Sequence, residues 1–361
     1  MSVYVGYLLL AGLQIPFFRK KDKLGNRCFN KKGYLILCCI ELIVLAGIRG
    51  YTVGADTVVY LDAIDYYGKL PTSKLFSAEL VYPFDFEAGY FLLTKICVFL
   101  NMGKTAFLFV IAILIYVPVF VAINRYSKMP YISILCYFAF SMFSYSLGIF
   151  RQMIAISILL CGLKYILERK FFKYLLIVIL AMLFHTTAIL GLALYVLYRI
   201  KWKNVIWALF IIEFVCIAFG QEFMQLAFKL LPGYENYASE LSAQQNGSYL
   251  MLILLNLVLI ISVLVRKKND VYENLTICAL ILAVCLQALG YSLEIFGRTV
   301  SYFSVFLLFA IPNIICNMGK KWRVPLSIVA MLGLSVFIFM QFNGNEYITP
   351  YYTFFMKVKP V

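Results

Sequence analysis

Residues 33–48, GYLILCCIELIVLAGI, form a nearly unbroken apolar run, and residues 49–68, RGYTVGADTVVYLDAIDYYG, follow it directly. The first run has the composition of a membrane-spanning helix, which needs roughly 20 mostly apolar residues to cross a hydrocarbon core. The second run holds an Arg, three Asp, two Thr and four Tyr. A plain connection between helices does not need so many hydrogen-bonding groups. This stretch is therefore a candidate functional surface at the membrane boundary.

The composition of the whole chain extends the first observation. Hydrophobic residues make up 63% of the 361 residues and charged residues only 14%, and long apolar runs recur from one end to the other. Such runs predict an all-α, polytopic integral membrane protein, because only helices or closed barrels satisfy backbone groups inside lipid. We predict about 12 transmembrane helices in a single transmembrane domain over residues 1–361, with single spans that include residues 131–148, 171–185, 186–199 and 299–316.

The net charge of +15 has a topological explanation. When the predicted spans alternate across the membrane, most Lys and Arg residues fall in the connections on one side, and such connections are normally cytoplasmic. The basicity therefore gives no support to a nucleic-acid partner. The same alternation places two long segments, at about 49–104 and about 221–247, on the exoplasmic side.

Six ionisable residues lie at or just inside the predicted exoplasmic helix ends, where burying a charge is costly and needs a partner or a use. Simpler explanations exist for several of them. Arg49 and Arg298 could anchor helix ends, and Arg298 could pair with Glu294. Asp56 could hydrogen-bond to the backbone of its own turn. His185, the single histidine, could be structural. The six are Arg49, Asp56, Glu87, Arg151, His185 and Arg298.

The remaining polar and sulfur groups give weaker signals. We interpret Glu41 and Glu213, which lie within predicted spans, as protonated packing contacts. Most cysteines lie in apolar runs and are interpreted as small buried hydrophobic residues. We predict no cofactor and no metal site: the carboxylates of Asp56, Asp62, Asp65 and Glu87 could hold a divalent ion, but their spacing matches no metal motif.

Six short motifs occur in a fixed order along nearly the whole chain. Together they resemble the Wzy-type polysaccharide polymerases of the EpsG family, although EAGY stands where a Pro is expected after the Glu. The motifs are RGYTVGADTVVY (49–60), FEAGY (86–90), FRQMIAISI (150–158), FHTTAIL (184–190), FGRTVSYF (296–303) and YYTFF (351–355).

The resemblance implies a glycosyltransferase of the bacterial inner (plasma) membrane, active on the exoplasmic side. It would join polyprenyl-diphosphate-linked oligosaccharide repeat units, on undecaprenyl diphosphate, into exopolysaccharide, capsule or O-antigen. The lipid-linked units would be both donor and acceptor, within membrane lipid, and a flippase and a chain-length regulator would be partner proteins.

The chemistry of such a reaction assigns roles to the candidates. Cations are needed for the leaving diphosphate and a carboxylate or imidazole for the proton of the attacking hydroxyl. We assign Arg49, Arg151 and Arg298 to diphosphate binding, because guanidinium forks bind phosphate oxygens bidentately. Asp56, Glu87 and His185 are the catalytic candidates, with Asp56 preferred as the base.

Tyrosines near these residues could stack on sugar rings, and we assign Tyr51, Tyr60 and Tyr90 to sugar binding. Two other functions stay open at this point. A lipid-linked glycan ligase or single-sugar glycosyltransferase would use the same groups. A flippase or transporter of lipid-linked glycans would instead need polar groups along a path through the membrane midplane, where this sequence has few.

Overall fold

The computed structural model describes residues 1–21, 27–71, 84, 86–200, 206–208, 211, 213–215, 218–219, 249–267, 270–292 and 294–356. The predicted exoplasmic segment at 221–247 and the side chains of Asp85 and Glu294 lie outside these residues. The described part is almost entirely helical, and its only sheet is one antiparallel pair of short strands. The fold class is therefore all-α, as predicted.

The elements of the first half are α1 (Ser2–Leu13), a 3₁₀ turn (Ile15–Phe18), β1 (Arg19–Lys21), β2 (Arg27–Phe29), α2 (Lys31–Gly47), α3 (Thr57–Gly68), α4 (Ala88–Phe99), α5 (Lys104–Tyr126), α6 (Pro130–Ala139), α7 (Met142–Gly148) and α8 (Phe150–Leu167). Those of the second half are α9 (Phe171–Met182), a 3₁₀ turn (Thr186–Leu190), α10 (Gly191–Arg199), α11 (Tyr249–Val265), α12 (Val271–Ser292), α13 (Glu294–Thr299), α14 (Ser301–Ser304), α15 (Leu307–Asn317) and α16 (Lys320–Phe342).

Four of the described helices, α5, α8, α12 and α16, are long and apolar enough to cross a membrane. The number becomes six if each of two bent helix pairs is one span. The described helices thus make a polytopic membrane protein but do not reach the predicted count of about 12. The shortfall arises because several apolar runs form short helices, of which α9 has 12 residues. At about 1.5 Å per residue such a helix is roughly 18 Å long, against a hydrocarbon core of about 30 Å.

Two of the predicted spans are bent helix pairs. Residues 131–148 form α6 and α7, which meet at an angle of 60°, and residues 299–316 contain a second bend, of 45°, between Gly297–Ser304 and α15. At the first bend Ser141 adopts a left-handed backbone conformation, with φ of 62°. An L-residue in this conformation cannot continue a right-handed helix, so the chain turns.

Contacts of the antiparallel neighbours α2 and α5 define two ends of the bundle. At one end Lys31, the first residue of α2, donates to the carbonyls of Asn124, in the last turn of α5, and Ser127, just after it, at 2.6 and 2.5 Å. At the other end Tyr51, after α2, is hydrogen-bonded to Thr105 at the start of α5, at 3.2 Å. We call these the Lys31 end and the Arg49 end. Helix α5 packs between α2 and α8.

A buried carboxylate stabilises the Lys31 end. Glu273, in the first turn of α12, pairs with Lys128 at 2.6 Å and accepts a hydrogen bond from the Asn317 amide at 2.8 Å. The two carboxylates predicted within spans also make hydrogen bonds: Glu41 accepts from Gln14 and Glu213 from Asn256. Each of these contacts joins side chains of separate segments, which fixes how the helices pack.

The residues after α16 fold back along the loop that follows α2. We call residues 343–356 the C-terminal strap. Backbone hydrogen bonds join Gly50 N to Tyr352 O at 2.7 Å, Gly54 N to Tyr347 O at 2.6 Å and Phe354 N to Ile48 O at 3.1 Å. The strap therefore forms part of the Arg49 end, next to the first of the polar motifs.

Candidate functional site

Glu87 lies at the centre of a cluster of charged side chains at the Arg49 end. Its Oε2 accepts a hydrogen bond from Arg151 Nη1 at 2.5 Å, and its Oε1 lies 2.7 Å from His185 Nδ1. The backbone N–H of Thr186 approaches Oε1 at 3.4 Å. The carboxylate thus joins three segments that are far apart in the sequence: the start of α4, the start of α8 and the turn after α9.

The chain brings Glu87 to His185 through a close backbone approach. Gly89, in the first turn of α4, donates its N–H to the carbonyl of Leu183 at 2.7 Å. A Cβ on Gly89 would lie 2.7 Å from that same oxygen, so a larger residue would push α4 away. Glu87 itself is extended, with φ of −60° and ψ of 148°, and α4 starts at Ala88. The EAGY sequence therefore makes a tight helix start without the Pro expected from the family.

The electrostatics of the cluster keep Glu87 ionised. Burial by itself raises the pKa of the Glu87 carboxyl, but hydrogen bonds from His185, the backbone and Arg151, with the charge of Arg151, outweigh burial and lower this pKa to about 2. An ionised carboxylate only accepts hydrogen bonds, so His185 Nδ1 must carry the proton that it shares with Glu87. In a neutral His185 ring, Nε2 is then the nitrogen with a free lone pair.

Arg151 is held on its other side by aromatic residues. Its guanidinium lies 5.3 Å from the centre of the Phe86 ring, and it interacts with the hydroxyl of Tyr60. Tyr60 stacks on Phe150 with ring centres 4.6 Å apart and is 3% exposed, and Tyr90 is fully buried. Tyr51, by contrast, is 37% exposed. Of the three tyrosines predicted to bind sugar, only Tyr51 has an exposed side chain, and the sugar-binding role of all three stays a prediction.

Arg49 is only 1% exposed and donates to three backbone carbonyls, those of Ala46, Val53 and Leu147. Its guanidinium also lies 5.3 Å from the centre of the Phe150 ring. These contacts join the end of α2 to the end of α7. They favour a structural role for Arg49, while its predicted diphosphate-binding role stays a prediction.

Substituting Arg49 separates these two roles. We expect Arg49→Met to destabilise the protein by on the order of 2–3 kcal/mol, because three carbonyls lose a charged donor. The measurement is the midpoint of thermal aggregation of the purified chain, and Arg323→Met, at an exposed position, is the matched control. An unchanged midpoint with loss of polymer synthesis would instead assign Arg49 to the diphosphate.

Asp56 lies at the N-cap position of α3 and is half-exposed. Within the described part of the chain, no group donates a hydrogen bond to its carboxylate. The neighbouring Thr57 is buried and donates to the carbonyls of Val53 and Leu147. Gly54 permits this packing: its φ is +111°, and a Cβ there would lie 1.9 Å from the Leu147 oxygen. Asp56 is thus at the edge of a rigid turn, apart from the contacts of Glu87.

Arg298 is exposed and lines a cavity of about 930 Å³ at this end of the bundle. The start of α8 contacts the same segment, because the Gln152 amide donates to the Arg298 carbonyl at 2.8 Å and to the Ser301 hydroxyl at 3.0 Å. The Thr187 hydroxyl is hydrogen-bonded to Tyr302 at 3.1 Å. Gln152, next to Arg151, and Thr187, two residues after His185, therefore both contact the segment that contains Arg298.

The sequence model of the EpsG family matches residues 32–353, which is nearly the whole chain. The chain belongs to the EpsG family. EpsG is a family of Wzy-type polymerases, so the resemblance seen in the six motifs is confirmed. No curated protein and no solved structure matches the chain.

In this EpsG chain the predicted residues divide into three groups. Arg151 and His185 both contact Glu87, Arg298 lines the cavity, and Arg49 and Asp56 lie on either side of the Gly54 turn. Sequence reasoning gave no weight to the cavity wall formed by Ser144, Gln341 and the C-terminal strap. A lone Ser or Gln in an apolar run carries no distinctive signal, and only YYTFF pointed to the strap.

Proposed function

We propose that this chain is a polymerase that joins polyprenyl-diphosphate-linked oligosaccharide repeat units into a cell-surface polysaccharide. The reaction would take place at the exoplasmic face of a bacterial plasma membrane. Membership of EpsG supports polysaccharide polymerisation. The observation that carries the rest of the proposal is the contact of Glu87 with both Arg151 and His185 at a polar end of a membrane bundle.

The cluster suits the transfer of a sugar from a diphosphate. The acceptor hydroxyl oxygen forms a bond to the anomeric carbon of the donor, and the bond from that carbon to the diphosphate oxygen breaks, its electron pair leaving with the diphosphate. His185 Nε2 takes the proton of the hydroxyl, because Nδ1 is held by Glu87. Glu87 is a positioning residue that orients the ring and stabilises its charged form.

The geometry gives the three arginines different parts in this proposal. Arg298, exposed at the cavity, contacts the leaving diphosphate, and its guanidinium fork suits phosphate oxygens. Arg151 holds Glu87 in place and adds positive charge beside it. Arg49 stabilises the loop after α2 through its hydrogen bonds to backbone carbonyls. Tyr51 offers an accessible aromatic ring for a sugar. Asp56 is the second candidate for the base.

The sidedness of the site rests on which segments meet. Every residue of the cluster belongs to a segment predicted to be exoplasmic, and Lys31, Lys128 and Glu273, which meet at the opposite end, belong to segments predicted to be cytoplasmic. This agreement supports the exoplasmic assignment, with residues 49–104 and 221–247 outside. The single domain over residues 1–361 and the count of about 12 membrane segments stay part of the proposal.

Deleting the gene tests the function. We expect the deletion strain to lose polymer and to accumulate single lipid-linked repeat units on the outer leaflet, because synthesis and export of the units continue. The readout is gel analysis of the glycan and accessibility of the units to an impermeant oxidant, with the wild-type gene restored on a plasmid as the control. If the deletion strain held the units on the inner leaflet, the protein would be a flippase. If the strain made free polymer that was not attached to its anchor, the protein would be a ligase.

A further inference from the structure

The cavity that Arg298 lines has hydrogen-bonding groups on its wall that the proposed chemistry does not use. Its volume of about 930 Å³ lies in the range of about 300–1,000 Å³ typical of small-molecule sites. The wall is built from α7, from residues 297–304 and from the end of α16 with the first part of the C-terminal strap. Segments from the middle and the end of the chain therefore meet around one space.

The hydrogen-bonding groups on this wall, which alternate with apolar side chains, are mostly neutral. Among the described lining residues, only Arg298 and Glu346 carry charge. The Ser144 hydroxyl is buried and has no hydrogen-bond partner in the described part of the chain. A buried polar group without a partner destabilises the fold, and a ligand that hydrogen-bonds to it would remove that cost. Further hydroxyl and amide groups come from Tyr145, Ser301, Ser304, Gln341 and Asn343.

We propose that this cavity binds the saccharide of the lipid-linked repeat unit, with Ser144 and Gln341 as specificity-determining residues; this rests on the proposed function. Hydroxyl and amide groups both donate and accept hydrogen bonds, which matches the hydroxyls of a neutral sugar. A polyprenyl chain would leave these hydrogen-bonding groups unused. Among the described lining residues only Arg298 is a cation, so the diphosphate lies beside it, next to the saccharide.

Two bulky substitutions on one helix test the site. Gln341 lines the cavity near the end of α16, and Ser335 is exposed on the same helix. With lipid-linked units extracted from the deletion strain, Gln341→Trp should raise KM by about tenfold or more, because the ring fills space that the sugar needs. Ser335→Trp should leave KM unchanged. Ser144→Ala, which makes no new bulk, should raise KM in the same direction.

A binding measurement keeps the test independent of folding and of catalysis. The oligosaccharide released from the extracted units by mild acid should slow maleimide labelling of Gln341→Cys by about tenfold at saturation, with labelling of the unsubstituted chain subtracted. Labelling of Ser335→Cys should not change.

The two measurements separate the inference from the function. The saccharide site would be overturned if the oligosaccharide failed to protect Gln341→Cys and if Gln341→Trp and Ser144→Ala left KM unchanged. Normal polymer synthesis in the same experiments would still support the polymerase function. The opposite pair of results is also possible: the oligosaccharide protects Gln341→Cys, while the wild-type chain makes no polymer from the lipid-linked units. That outcome would support the saccharide site and overturn the polymerase function.

Discussion

Replacing His185 with Gln should lower the turnover of purified enzyme on lipid-linked units by about 10²–10⁴-fold. The amide keeps much of the size and hydrogen bonding of the ring but cannot accept the proton of the acceptor hydroxyl. KM should change little, since the cavity wall is untouched. The measurement is single-turnover transfer, resolved as a ladder of glycan lengths, with membrane abundance checked by blotting.

The same assay decides between His185 and Asp56. Asp56 is half-exposed and, within the described residues, forms no hydrogen bond or ion pair with Glu87, so Asp56→Asn should reduce turnover far less than His185→Gln if His185 is the base. Full turnover in His185→Gln together with a large loss in Asp56→Asn would show that our assignment is wrong. Loss in both variants at unchanged protein level would indicate that the two residues act on different protons.

Replacing Glu87 with Gln should have the second largest effect, a loss of turnover of about 10²–10³-fold. The amide no longer stabilises a charged imidazole, can present its N–H₂ to His185 Nδ1 and leaves Arg151 without its ion pair. Glu87→Asp should restore part of the activity. The matched control is Asp65→Asn, which breaks a surface ion pair with Lys104, 2.6 Å long, on the same predicted exoplasmic segment.

The pH dependence of stability tests the charge of Glu87. The pKa of Glu87 is lowered from 4.5 to about 2, so its contribution to the free energy of unfolding is complete above about pH 4.5 and is lost as the pH falls toward 2. Glu87→Gln should therefore lower the midpoint of thermal aggregation of the purified chain at about pH 7, and the difference from the wild type should shrink as the pH is lowered below 4.5. A difference that stays the same over this range would show that the charge of Glu87 does not stabilise the fold.

The sequence could predict the residue types of the site and the end of the bundle at which they meet. Apolar runs separate the segments, and the partition of basic residues groups Glu87, Arg151 and His185 on one side. The contacts themselves could not be predicted, because they depend on Gly89 packing on Leu183 and on which helices are neighbours. The left-handed backbone at Ser141 likewise leaves no mark in an apolar run, so the bend before α7 was missed.

Burial was the property that sequence reasoning judged least well. Tyr51, Tyr60 and Tyr90 look equivalent in a list of motif residues, yet their rings range from exposed to fully buried. Arg49 and Arg298 also look alike as arginines at helix ends. The difference between them comes from the Leu147 and Val53 carbonyls, which converge on Arg49 through turns whose geometry is tertiary.

The C-terminal strap has a consequence for the order of events during synthesis. Tyr351 reaches back to the carbonyl of Leu45, 306 residues earlier in the chain, and Tyr347 and Tyr352 complete the backbone pairing of the Gly50–Gly54 loop. Contacts over such separations form late, after the intervening helices have been made and placed. A nascent chain that stops short of residue 347 would insert its earlier helices but lack one wall of the cavity. We therefore expect insertion of the earlier helices into the membrane to precede completion of the cavity, because one wall of the cavity needs the strap.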